Sequence, residues 1–162
     1  MDQLWAPWRL TYVAAAKPPG PDDGCFLCEG LAGTDDRRSL IVLRRSLSFV
    51  MLNRFPYNNG HLLIAPRAHK GALEEFSSDE LLDVQETLRH MVQVLDGLMH
   101  PDGYNIGLNL GRAAGAGLPG HLHWHIVPRW NGDTNFMSVL ADTKVLVQSL
   151  DALFDLLVDR LK

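Results

Sequence analysis

Gly120-His121-Leu122-His123-Trp124-His125-Ile126-Val127-Pro128 alternates histidine with large apolar residues. A period of two is the signature of a β-strand, whose side chains i, i+2 and i+4 line one face. Leu122, Trp124 and Ile126 are expected in a core. His121, His123 and His125 are expected on the opposite face, roughly 6–7 Å apart. Neighbouring imidazoles disfavour one another's protonation, so at least one should be neutral near pH 7. A neutral imidazole can attack phosphorus. His123 is the best placed for this, with a histidine on either side along the strand. The preceding stretch, residues 111–120, is rich in glycine and alanine, so its backbone can approach a ligand closely. Together these features point to phosphate chemistry.

Outward from this stretch, the chain reads as a series of short strands beside one long helix. Apolar runs at residues 40–43, 47–52, 61–66 and 104–110 are bounded by turn residues, which predicts strands. Ser77 and Glu80 form a capping box. Behind them Leu81, Val84, Leu88, Met91, Leu95 and Leu98 recur at helical spacing, predicting one helix over 78–99. Leu146, Leu150, Leu153, Leu157 and Leu161 mark a C-terminal amphipathic helix. The pattern predicts an α+β fold: an antiparallel sheet with the long helix packed on it and the C-terminal helix beyond. A single domain over 1–162 is expected, with its core at about 25–130. An aromatic segment, 1–24, precedes the core, and a helical extension, 131–162, follows it. The first segment carries Trp5 and Trp8, read as packing or subunit contacts, and a short helix near Pro7. Cys25 and Cys28 are expected in a turn.

Composition narrows the class. The chain has 162 residues, 46% hydrophobic, with a formal charge of −4, which argues against bulk electrostatic binding of nucleic acid. No apolar run reaches the ~20 residues of a membrane span. The first residues have no basic and apolar leader pattern, and two cysteines make no disulfide framework. A cytoplasmic protein is expected.

His121-Leu-His123-Trp-His125-Ile-Val resembles the His-x-His-x-His-x-x signature of the histidine triad (HIT) superfamily, where x is apolar. Gly60-His61-Leu62-Leu63-Ile64-Ala65-Pro66 is similar to that family's Gly-His strand. Asn53 matches its ribose-binding Asn or Asp, and Cys25 with Cys28 resembles the cysteine pair of many bacterial members. The two ends, residues 4–9 and 128–136, resemble the bacterial branch that contains diadenosine tetraphosphate phosphorylases. The resemblance implies a HIT-like fold and a homodimer or higher even oligomer. It also implies cleavage of a dinucleoside polyphosphate, or action on another purine nucleotide, through a nucleotidyl-histidine. The acceptor would be inorganic phosphate or water.

By position, the resemblance makes His123 the nucleophile and His125 a phosphate ligand, with His61 supporting the phosphate site. His121 would support His123 or bind metal. Asn53 would hold the ribose hydroxyls and Asn109 would sit near the phosphates. Family hydrolases carry Gln-Ser or Gln-Thr four and three residues before the first histidine. This chain has Gly117 and Leu118 there, so loop N–H groups would contact the scissile group instead. In zinc-binding members the cysteine pair is completed by two histidines, here His69 and His121. Cys2His2 would hold Zn²⁺ structurally, with no open position.

Other readings stand beside these. Cys25 and Cys28 could be small buried hydrophobes or a redox pair. The three histidines could ligate one metal, although residues i and i+4 of a strand lie about 13 Å apart, a poor fit to a tetrahedral site. The chain could also bind nucleotides without turnover. Arg54, Arg67, Arg112 and Arg129 flank the site and are read as solvated charges, Arg112 being the best phosphate candidate. His90 and His100 are expected to face solvent, and Trp124 the core.

Overall fold

A computed structural model of the chain describes residues 24–134 and 145–162. The expectations for Trp5, Trp8 and the segment 1–23 lie outside them. The elements in chain order are α1 (Phe26–Ala32), α2 (Asp36–Ser39), β1 (Ile41–Arg44), β2 (Ser48–Leu52), β3 (Leu62–Pro66), α3 (Ser78–Met99), β4 (Gly103–Leu108), β5 (Trp124–Arg129) and α4 (Leu150–Arg160). Short 3-10 turns occupy Leu73–Glu75 and Arg112–Ala114.

The five strands form one sheet in the order β1-β2-β3-β5-β4, and every pairing is antiparallel. This is the α+β architecture expected. Strand alternation divides the apolar residues between two faces. Val42, Val50, Leu52, Leu62, Ile64, Trp124 and Ile126 pack with Val84, Leu88, Met91 and Leu95 of α3 and with Leu153, Phe154 and Leu157 of α4. Ile41, Phe49, Met51, Leu63 and Ala65 pack on the other face with Leu27 of α1. That second, smaller face carries the histidines.

The helix α3 has the bounds predicted. The Ser77 side chain accepts from the Glu80 N–H, and the Glu80 carboxylate reaches back to the Ser77 N–H. Its contact with the sheet includes a buried polar knot: Ser48 Oγ donates to Asp83 Oδ2 at 2.5 Å and meets Thr87 Oγ1 at 3.0 Å. The helix ends at His100, which adopts φ 45°. His90 and His100 are exposed, as expected.

Three local expectations need correction. The Cys25–Cys28 segment is not a free turn: Cys25 caps α1, its Sγ accepting from the Cys28 N–H at 3.4 Å. The predicted strand through residues 120–128 pairs as β5 only from Trp124, leaving His121 at a bend and His123 in irregular backbone before it. There the Leu122 N–H donates to Lys70 O at 2.8 Å, so Leu122 still enters the core between its neighbours. The C-terminal helix begins at Leu150, after the Ser149 cap, and leaves out Leu146. Residues Cys25–Asp133 and Leu146–Lys162 belong to one structural unit. No helix among the described residues is long and apolar enough to cross a membrane.

Candidate active site

β3 and β5 lie side by side, and their register brings two histidines from distant sequence together. Leu63 pairs with His125 and Leu62 with Ile126. His61 stands one residue before β3, and its carbonyl accepts from the Asn53 N–H at 2.9 Å. Asn53 therefore continues β2 opposite His61. The turn between them needs Gly60, which has φ +78°. A Cβ there would also meet Met99 Sδ and Pro128 Cγ at 3.0 Å. Asn58 ties the same turn to the far end of β5, donating to Pro128 O and Asp133 Oδ2.

The histidine network assigns its own protons. The Tyr57 N–H donates to His61 Nδ1 at 3.0 Å, so the His61 proton resides on Nε2. Nε2 donates to His125 Nδ1 at 2.9 Å. His125 then keeps its proton on Nε2, available to a phosphate oxygen. His123 Nδ1 donates to the His121 carbonyl at 2.8 Å, which leaves Nε2 as a bare lone pair. The rings of His123 and His125 are 5.1 Å apart, centre to centre.

Burial is the first cause holding these rings neutral. It lowers the pKa of His123 against the opposing effect of the His121 carbonyl. It pushes His125 down to about 4, with the charge of His123 as the second cause. Neutral imidazoles were expected from mutual repulsion; in the structure desolvation leads and repulsion follows.

His121 departs from the expected row. Its ring turns toward His69, with centres 5.0 Å apart, and toward the cysteines. Its Nδ1 lies 3.3 Å from Cys25 Sγ and 3.4 Å from Cys28 Sγ, and His69 Nδ1 lies 3.2 Å from Cys28 Sγ. The four ligand atoms all lie within 4.8 Å of one another. A tetrahedral Zn²⁺ with Zn–S of about 2.3 Å and Zn–N of about 2.0–2.1 Å separates S from N by roughly 3.5 Å. The set therefore fits that ion. His121 Nε2 donates to Pro66 O at 2.9 Å, fixing the tautomer that points a lone pair at the cage. Burial, then Cys25, pushes the Cys28 thiol up to about 11; a bound cation would reverse this.

Beside the histidines opens a cavity of about 910 Å³, lined by Phe26, Gly30, Leu40, Met51, Asn53, Phe55 and Leu63 among others. That is the upper range for a small-molecule site. Two of its lining residues neighbour histidines: Asn53 Nδ2 is 3.3 Å from His61 Nδ1, and Leu63 pairs with His125. Asn53 Oδ1 accepts from the Phe55 N–H at 2.9 Å.

Sequence reasoning passed over Phe26 and Leu40, which line the cavity, and Tyr57, whose ring lies 4.6 Å from that of His61. The one signal was an aromatic pair, Phe55 and Tyr57, inside a loop of breakers. Asn109 reaches Gly115 O at 3.5 Å within the glycine loop, and Gly117 is exposed in that loop. Arg112 is exposed there too. Arg129 is held by Asp133 and Asn105, Arg54 by Arg38 O and Arg67 by Arg45 O.

The HIT domain family model matches residues 35–132. An AP-4-A phosphorylase of Mycobacterium tuberculosis is 36% identical over 155 residues, covering 93% of this chain and 79% of that protein. An asymmetrical bis(5'-nucleosyl)-tetraphosphatase of Schizosaccharomyces pombe is 33% identical over 95 residues, covering 59% and 52%. Among solved structures, a hypothetical histidine triad nucleotide-binding protein from Sulfolobus tokodaii superposes with TM-score 0.66 at 23% identity, over 84% of this chain and 91% of the other. A Zn-bound histidine triad protein from Mycobacterium smegmatis superposes with TM-score 0.61 at 24% identity, over 75% and 83%.

Proposed function

The chain belongs to the HIT domain family, and we propose that it cleaves dinucleoside polyphosphates at a phosphoanhydride through a nucleotidyl-His123 intermediate. The observation that carries this reading is the hydrogen bond from His123 Nδ1 to the His121 carbonyl. It leaves Nε2 unprotonated, on the sheet face whose neighbouring residues Asn53 and Leu63 line a nucleoside-sized cavity.

The nucleoside occupies that cavity, with Asn53 at the ribose. His123 Nε2 attacks the α-phosphorus; the N–P bond forms as the bridging P–O bond breaks, and its electron pair leaves on the terminal phosphate. His125 Nε2–H donates to a phosphate oxygen, and His61 holds His125 in that tautomer. The glycine loop, with Gly117 and Asn109, offers donors to the charge growing on the phosphate. An acceptor oxygen then attacks phosphorus and His123 recovers its lone pair.

With phosphate as acceptor, diadenosine tetraphosphate yields ADP and ATP; with water it yields AMP and ATP. The 36% identity to an AP-4-A phosphorylase over most of the chain supports phosphate. Chromatography of the products with and without phosphate should show ADP only in the first case. Products that never respond to phosphate would leave a hydrolase. An absence of turnover in both would leave a nucleotide-binding module.

The cage of Cys25, Cys28, His69 and His121 holds Zn²⁺ in this reading. Elemental analysis after purification without chelator should find about one zinc per chain; a metal-free protein with full stability would remove the ion. A homodimer is supported by β4, an edge strand among the described residues with Ile106 48% exposed. Edge strands of this kind invite pairing. Light scattering at micromolar concentration should return twice the 18.1 kDa chain mass, and a single chain mass would contradict it. The whole chain, 1–162, is proposed as one functional domain in the cytoplasm.

A further inference from the structure

The cage and the nucleophile meet at one peptide plane. The peptide joining His121 to Leu122 carries the carbonyl that accepts from His123 Nδ1 at 2.8 Å. The N–H of the same peptide donates to Lys70 O, also at 2.8 Å. No strand ladder holds this plane, because β5 begins only at Trp124. What flanks it is the cage. His121 is a cage residue, and so is His69, the neighbour of Lys70.

The two segments approach closely. A Cβ at Gly71 would meet Pro119 O at 2.8 Å, and one at Gly120 would meet His69 Nε2 at 3.6 Å. On the other side of the ring, His121 Nε2 is tied to Pro66 O.

We infer that His121 is a positioning residue through which the Cys25–Cys28–His69–His121 cage orients the nucleophile, so that metal occupancy governs kcat rather than nucleotide affinity. The inference rests on the zinc and nucleotidyl-histidine readings above. An ion in the cage pins His69 to His121 and thereby clamps residues 69–70 against 121–122. The His121 carbonyl then faces His123 in one direction, and the His123 proton stays on Nδ1. Without the ion the peptide keeps its two hydrogen bonds, the His121–Pro66 tie and the buried Leu122 side chain but loses the clamp to residue 69, and His123 Nε2 loses its fixed aim.

The nucleoside cavity shares α1 with the cage, since Cys25 caps that helix and Cys28 lies within it. The helix also has anchors outside the cage, which keep the cavity wall in place when the ion is lost: Arg44 donates to Leu31 O at 2.7 Å, Gly30 O at 3.1 Å and Gly33 O at 3.0 Å. Leu27 is fully buried against the sheet.

His69→Ala tests this, because it opens the cage at an exposed residue and leaves the triad and both cysteines in place. His69→Cys restores a zinc ligand and serves as the rescue. Three quantities are read: zinc content, kcat and KM on diadenosine tetraphosphate, and the nitrogen NMR shifts of the His123 ring. His69→Ala should lose zinc and about 10–100-fold in kcat, with KM held within about threefold. Its His123 shifts should move from a single tautomer to a mixture, and His69→Cys should recover all three. Should His69→Ala not fold, wild-type protein stripped with chelator and reloaded with Zn²⁺ reads the same quantities.

A folded, zinc-free His69→Ala with wild-type kcat and a single His123 tautomer overturns the coupling and leaves the zinc reading intact. Wild-type protein that neither holds nor responds to Zn²⁺ overturns both. A tautomer shift on zinc loss in a protein without turnover retains the coupling and overturns the enzymatic reading.

Discussion

His123→Ala is expected to lower kcat on diadenosine tetraphosphate by about 10⁴-fold or more while leaving nucleotide binding within severalfold of wild type. His123 is 8% exposed, and its Nδ1 is committed to the His121 carbonyl. Its one remaining polar atom is Nε2, the nitrogen proposed to attack. Removing the ring removes the bond-forming atom and no side-chain hydrogen bond between elements. The cavity proposed for the nucleoside is built from α1, α2, β2, the Asn53 loop and Leu63 of β3, while the His123 ring bonds to the His121 carbonyl. The effect should therefore fall on kcat, the pattern of an interaction made only as the reaction proceeds. Steady-state kinetics with a direct nucleotide-binding titration checks this. Wild-type turnover in the variant would exclude a covalent route through His123.

Trp124→Ala should cost about 3–5 kcal/mol of stability and lower Tm by roughly 6–20 °C. Trp124 lies between two site histidines but points to the opposite face of β5. It is 6% exposed and packs in the cluster with α3 and α4. It pairs with Ile64 of β3 and Leu108 of β4, so the cavity left by truncation is flanked by a strand on either side. A loss this large is a substantial part of the roughly 5–15 kcal/mol that holds a domain together. Thermal and denaturant unfolding measure it. If stability were unchanged and KM rose instead, Trp124 would be a ligand contact and the face assignment of β5 would be reversed.

Much of this arrangement is written in local patterns. The helix 78–99 carries its own cap, Ser77 with Glu80, and a long apolar stripe, so its bounds are legible to the residue. The alternation through Leu122, Trp124 and Ile126 correctly separates core from histidines. The grouping of Cys25, Cys28, His69 and His121 came from resemblance to known proteins; the coordinates bring those four ligand atoms together.

Other features depend on contacts that no local window contains. Helix α1 is seven residues long, too short for a periodic signal, and its cap is a thiol rather than a hydroxyl. Arg44, thirteen residues beyond Leu31, satisfies its last carbonyls. The cavity exists because α1 and the Asn53 loop face the same sheet. The turn of the His121 ring away from His123 follows from the cysteines and Pro66 O, not from strand parity.

The most direct test of the central claim is to quench wild-type protein in the act of turnover and map the adduct by mass spectrometry. Phosphate is omitted so that the intermediate accumulates, and the quench is alkaline because phosphoramidate bonds are labile in acid. A nucleoside monophosphate attached to the peptide containing His123, absent in His123→Ala, is the predicted result. Active protein quenched within the first turnover that carries no adduct, or carries it on His121 or His125, would contradict the assignment of His123 as nucleophile.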